Sequence, residues 1–129
     1  MYPSKHAIVT FFICIPFFFI YKWWVLLIFA SAILIDFDHY MTYVIRFKDI
    51  NIRKAYWYFR NMAKDKSNKK VLLLFHTWEF LAALLITGLF YPIIWYIFLG
   101  FFIHILEDLY DYYTENKVYR RRLSLFFNI

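Results

Sequence analysis

The stretch ILIDFDHY, Ile33–Tyr40, decides how this chain is read. Nothing charged occurs from Trp23 to Ile35, and then Asp36, Asp38 and His39 arrive together. A charge at the centre of a membrane helix costs about 2.5–3.5 kcal/mol on insertion scales, so such groups are paired, coordinated or functional. The apolar run therefore needs partners for its polar end.

The chain has 129 residues, enough for one domain. It is 64% hydrophobic and 26% aromatic, far above the roughly 45–50% apolar content of soluble domains. A water-soluble protein this small could not bury so much apolar surface, and a membrane is its natural solvent. The one cysteine, Cys14, lies in an apolar run. That excludes a disulfide framework and a CxxC metal knuckle, and Cys14 reads as a small hydrophobe. A cleavable signal is not expected, because the first apolar run lacks a small-residue cleavage site and leads into a second.

The expected fold is all-α: a multi-pass membrane protein of four antiparallel transmembrane helices in one membrane domain. The helices are placed at 3–21, 22–40, 71–90 and 92–110, each near the ~30 Å hydrocarbon thickness at 1.5 Å per residue. Pro3 and Pro92 suit first-turn positions, and Gly88–Pro92 is a breaker. A single tilted helix over Ala7–Ile35 is the alternative to the first hairpin, but it overshoots the bilayer. YKWW, Tyr21–Trp24, is then the turn, with Trp23 and Trp24 in an aromatic belt.

A basic segment, 41–70, joins helices two and three. Its first half, YVIRFKDINIRKAYWYFR, mixes cations with aromatics and suits a helix in the headgroup layer. Its second half, MAKDKSNKK, reads as a solvated loop, and a basic tail covers 112–129. Interleaved cations and aromatics also raise nucleic acid as a partner, but excess Lys and Arg is the ordinary mark of cytoplasmic loops. No nucleic-acid partner is expected. With four spans, every basic residue except Lys22 falls on one side. The termini are therefore expected in the cytoplasm.

The remaining polar residues gather on that same side. His6 opens helix one, and Asp36, Asp38 and His39 end helix two. His76 and Glu79 open helix three in LLFHTWEF. His104, Asp108 and Asp111 lie near the end of helix four in GFFIHILEDLYDYY. Counted along each helix, His6, Asp36, His76 and His104 all lie roughly 18–22 Å from the outer surface. Asp36 with His39, and His76 with Glu79, are i,i+3 pairs; His104, Asp108 and Asp111 share one face. Asp38 is two residues from Asp36 and so lies off its face. Glu107 and Glu115 read as solvated carboxylates. Imidazole with carboxylate is the ligand set of a divalent transition metal, and helix-bundle cores hold such sites. The expected ligands are His6, Asp36, His39, His76, Glu79, His104, Asp108 and Asp111, for one or two ions. Zinc is the first choice, with manganese and iron as alternatives.

This order of motifs resembles the YdjM-like family of membrane-bound, metal-dependent hydrolases. The resemblance rests on His6, on DFDH (Asp36, Asp38, His39), on His76, and on His104 and Asp108 in GFFIHILED, and it covers most of the chain. The chain has Ile35 where that family usually has Pro, and FHTWEF where the family commonly reads HRGxTHS. The resemblance implies hydrolase activity.

The expected function is therefore a metal-dependent hydrolase acting on a lipid-like ester or phosphoester at the cytoplasmic interface. Glu79 or Asp38, if not fully engaged with metal, would be the general base. Two other classes remain: a structural or assembly protein with a closed metal clamp, and a metal-ion carrier, which would need ionisable groups at a second depth. So few helices leave room for a homo-oligomer.

Overall fold

The computed structural model describes residues 3–62, 71–114, 121–122 and 124–126. The chain is mostly helical: α1 (Pro3–Tyr21), α2 (Val25–Leu34), α3 (Phe37–Phe47), α4 (Ile52–Met62), α5 (Trp78–Phe90) and α6 (Pro92–Thr114). Two short strands, β1 (Val71–Leu72) and β2 (Arg121–Arg122), pair in parallel, Val71 opposite Arg121.

The first apolar run is a hairpin. Lys22 takes a left-handed φ of 50°, which an α-helix cannot accommodate, and a 3-10 turn over Lys22–Trp24 follows. As a result the rings of Phe11 and Phe29 meet at 6.3 Å, whereas a straight helix would hold them about 27 Å apart. Tyr96 near the start of α6 touches both sides of the turn, Tyr21 and Trp24. Cys14, Val25, Ile28 and Ile103 fill one small apolar core, and Ile35, Leu81, Phe101 and Ile105 fill a second.

Helix α6 is the centre, packed against α2, α5 and α1. Gly100 permits the closest of these approaches. A Cβ there would lie 2.0 Å from Ser31 Oγ and 2.3 Å from the Ile28 carbonyl oxygen. Small residues at helix crossings allow such backbone contact. One turn later the same crossing brings His104 against α2.

Two expected spans differ from the structure. The 22–40 helix breaks at Ile35–Asp36, where the backbone switches to i→i+3 bonds: Asp36 N–H to Ile33 O, Asp38 N–H to Ile35 O, His39 N–H to Asp36 O. Such a tightened turn re-aims the residues it carries. Helix α3 then continues past Tyr40 to Phe47. The 71–90 helix is shorter than expected, because Val71–Leu72 is drawn into β1 and Leu74–His76 forms a 3-10 turn. The helix proper begins after Thr77, whose Oγ1 accepts the N–H of Phe80 as an N-cap. Its 13 residues reach about 20 Å, short of a ~30 Å hydrocarbon layer. Two stretches, His6–Phe47 and Pro92–Asp111, are long and apolar enough to cross a membrane.

The basic segment begins with α3 and α4, joined at Asp49. Its carboxylate accepts from the N–H of Asn51 and from Lys54 Nζ, and Asn51 Oδ1 accepts the Lys54 N–H. The Lys54 ammonium holds the Asp49 carboxyl below its ordinary value. Of the expected loop MAKDKSNKK only Met62 is described, and most of the basic tail lies outside the described residues.

The exterior is more apolar, and the interior more polar, than is usual in a water-soluble domain. Phe19, Leu89 and Phe90 are 81%, 72% and 75% exposed, while His6, Thr10, Asp38, His76, Thr77, His104, Glu107, Asp108 and Asp111 are buried. Many large apolar side chains thus face outward, while a polar cluster lies inside beside the two apolar cores.

Candidate metal centre

Five of the expected ligands meet at the end of the bundle opposite the Lys22 turn: His6 from α1, Asp36 from the α2–α3 break, His76 ahead of α5, and His104 and Asp108 from α6. Three of them are histidines in one arrangement. His104 donates Nδ1–H to the carbonyl oxygen of Ala32 at 2.8 Å. His6 Nδ1 lies 2.7 Å from Glu107 Oε2, and His76 Nδ1 lies 3.1 Å from Asp38 Oδ2. A carbonyl or ionised carboxylate only accepts, so each Nδ1 carries the proton and each neutral ring keeps its lone pair on Nε2.

All three Nε2 atoms turn towards the same carboxylates. His6 Nε2 is 3.1 Å from Asp108 Oδ1. His104 Nε2 is 3.4 Å from Asp108 Oδ2 and 3.5 Å from Asp36 Oδ1. His76 Nε2 is 3.8 Å from Asp108 Oδ2. The His6 and His104 rings stack at 4.2 Å.

A lone pair facing a carboxylate is repulsive unless a proton or a cation lies between them. The buried Nε2 of His104 has two carboxylate oxygens within 3.5 Å. A cation fits there. Ligand atoms at about 2.0–2.1 Å from a tetrahedral zinc stand about 3.3–3.4 Å apart, close to the spacings about His104. The Nδ1 bonds to Glu107, Asp38 and Ala32 are the outer supports that metal-binding histidines ordinarily have.

His39 forms the outer edge. Its Nδ1 lies 3.3 Å from Asp36 Oδ1 and 3.2 Å from Asp38 Oδ1. Neither this Nδ1 nor Asp38 Oδ1 makes a hydrogen bond, and both atoms are buried. The ring stands edge-on to Phe59 of α4 at 4.9 Å and to His76 at 5.1 Å. Three sets of donors have their atoms within 4.8 Å of one another: His6, His104 and Asp108; Asp36, His76 and His104; Asp38, His39 and His76. His104 and His76 each belong to two sets, so the three sets overlap in one cluster.

Some expected roles change. Glu79 does not join the cluster: Oε1 accepts from Ser124 Oγ, and Oε2 accepts the Leu125 N–H at 3.0 Å. The physical reason is that helix α5 starts two residues after His76, so His76 and Glu79 are not an i,i+3 pair on one helix. Asp38, expected as a base, is buried and accepts from His76 and from the Phe75 N–H at 3.0 Å. Both contacts fall on Oδ2, so it is a positioning group for His76 that keeps Oδ1 towards His39. Asp111 is buried on α6, but none of the three donor sets contains it.

Glu107, read as solvated, is buried and holds His6, while Thr10 Oγ1 donates to its other oxygen at 2.8 Å. The signal in the sequence was Thr10, a hydroxyl one helical turn after His6 in an otherwise apolar stretch. Glu115 lies outside the described residues.

Comparison with family models, curated proteins and solved structures finds no match for this chain.

Proposed function

We propose that the chain is a membrane-embedded, metal-dependent hydrolase that acts on an ester or phosphoester of a lipid-like molecule at the cytoplasmic interface. One observation carries the reading: His6, His76 and His104 each set Nδ1 against an acceptor oxygen and turn Nε2 onto Asp108 or Asp36. Three imidazoles and two carboxylates of that arrangement suit Zn²⁺ first, then Mn²⁺ or Fe²⁺. The ligands are His6, Asp36, His76, His104 and Asp108, with His39 and Asp38 beside them.

Bound there, the metal supplies Lewis acidity and a water whose pKa is lowered towards ~7. The protein's own groups do the rest. Glu107, Asp38 and the Ala32 carbonyl lock the three ring orientations. Asp36 and His39 have side chains 26% and 19% exposed, whereas those of His6, His76, His104 and Asp108 are 6% or less. Substrate would therefore approach over Asp36 and His39. The His39 ring, partly exposed at that edge with its Nδ1 held between Asp36 and Asp38, is the group best placed to take up or return a proton, in place of Glu79 and Asp38.

The membrane setting is supported by the two stretches able to cross a bilayer and by the apolar exterior around a buried polar cluster. Helix α4 has Ile52 and Trp57 exposed among Arg53, Lys54 and Arg60, as a helix lying in anionic headgroups would. The excess of basic residues there supports a cytoplasmic side for the cluster and the termini.

The test is a panel of lipid phosphoesters and carboxylesters offered to Zn²⁺-, Mn²⁺- and Fe²⁺-loaded protein, beside His104→Ala and His39→Gln. Turnover of at least one lipid class, lost in both variants, supports the reading. A metal-loaded protein that cleaves none of the panel, and whose metal admits no exchangeable ligand, would instead be the closed structural clamp that the burial of His104 and His76 favours.

A further inference from the structure

We infer that Arg121, Arg122, Ser124 and Leu125 form a strap across the His76 turn, and that this strap sets how fast a metal ion enters and leaves the cluster. The inference rests on the metal reading for the ion, and on chain contacts alone for the strap. Of the three histidines turned onto Asp108, His76 sits on the shortest element. His6 and His104 are carried by helices of 19 and 23 residues, whereas His76 ends a three-residue 3-10 turn, Leu74–His76. Such turns have poorer hydrogen-bond geometry than an α-helix, and local opening starts in the least stable elements. His76 Nε2 also stands farthest from Asp108, at 3.8 Å against 3.1 and 3.4 Å for His6 and His104.

The strap grips the chain on both sides of that turn. Ahead of it, Val71 and Leu72 pair in parallel with Arg121 and Arg122. Behind it, Glu79 in the first turn of α5 accepts from Ser124 Oγ and, at 3.0 Å, from the Leu125 N–H. The Ser124 oxygen in turn accepts the Phe126 N–H at 3.2 Å, and Ser124 is buried. Hydrogen bonds to a carboxylate are about twice as strong as those between neutral groups, so Glu79 is the firmer of the two grips. Between them, Asp38 Oδ2 takes both the Phe75 N–H and His76 Nδ1. For His76 to swing away from the cluster, the turn must part from Asp38 while its two ends stay where the strap holds them. Releasing the strap frees those ends. Because it acts on this opening and touches none of the candidate ligands, uptake and release change together and the metal content at saturation does not.

The test follows Zn²⁺ release into excess chelator from the full chain in detergent, for wild type, Glu79→Ala, Ser124→Ala and Ser124→Thr. Amide hydrogen exchange of the metal-free proteins is mapped beside it. Release should be about tenfold faster in Glu79→Ala, which loses both hydrogen bonds, and faster by a smaller factor in Ser124→Ala. Ser124→Thr keeps the hydroxyl and should match wild type. Amide exchange should quicken over residues 71–77 and not in α2 or α6. Release at the wild-type rate in both alanine variants overturns the proposal, and so does exchange that quickens equally in α2 and α6, the mark of a general loosening. If Glu79→Ala does not fold, the two Ser124 variants decide. A wild type that retains no zinc removes the metal reading and leaves the exchange map to decide the strap. Zinc held by all four proteins and released at one rate keeps the metal and removes the strap.

Discussion

The Nδ1 of His104 lies 2.8 Å from the carbonyl oxygen of Ala32, a residue 72 positions earlier in the chain. That contact ties the central helix α6 to α2 and fixes which nitrogen of His104 faces Asp36 and Asp108. It also makes the site depend on helix packing one turn away. Gly100 is where the two helices touch, and it has no space for a side chain.

Gly100→Ala is therefore expected to damage both fold and site. The added carbon meets Ser31 Oγ and the Ile28 carbonyl, forcing the helices apart at a cost of about 1–3 kcal/mol. Thermal unfolding in detergent would register this as a lower midpoint, and metal affinity would fall because Ala32 moves away from His104. An unchanged midpoint would mean that the helices separate at no cost.

Glu107→Gln keeps the shape but weakens the support of His6. Loss of such an outer partner typically lowers metal affinity about 10–100-fold. Competition with a zinc chelator measures it. Thr10→Val should act in the same direction with a smaller effect, since it removes one neutral hydrogen bond to Glu107.

Glu79→Ala separates the tail from the metal. Both Glu79 oxygens are engaged by residues 124 and 125, so metal content should match wild type. Limited trypsin digestion should become faster at Arg121 and Arg122, whose pairing with Val71 and Leu72 loses its anchor. A metal content halved by this substitution would return Glu79 to the ligand set.

The joint between α3 and α4 should respond to acid. The Asp49 carboxyl is held below its ordinary value by Lys54, with the Asn51 N–H as a further cause. A lowered carboxyl favours the folded joint fully above the ordinary aspartate value, and that contribution fades as pH falls through the lower, folded value. Hydrogen exchange at the Asn51 amide, normalised for intrinsic rates, should lose protection on acidification. In Asp49→Asn that pH dependence should vanish.

Much of this arrangement was legible in the residues. The hairpin followed from the length of the apolar run around Lys22, and His6, Asp36, His76, His104 and Asp108 were named from a shared depth. Depth counting works because rise per residue is fixed in a helix. It failed where the backbone left the helix. His76 precedes α5 in a 3-10 turn, so its spacing to Glu79 said nothing about a common face. The break at Asp36 likewise brought Asp38 into the site although i,i+2 neighbours diverge on a regular helix. Glu107 was missed because a carboxylate next to Asp108 gives no sign of which helix it faces.

The central claim is that the three Nε2-directed histidines hold a transition metal. Elemental analysis of detergent-purified protein, reconstituted with Zn²⁺, Mn²⁺ or Fe²⁺ and compared with His76→Ala and His104→Ala, tests it most directly. The account predicts one or two equivalents of metal in the wild type, in the range set by the three donor groupings, and loss in both variants. A wild-type protein that retains no metal after reconstitution, or His104→Ala protein that retains as much as wild type, would contradict it.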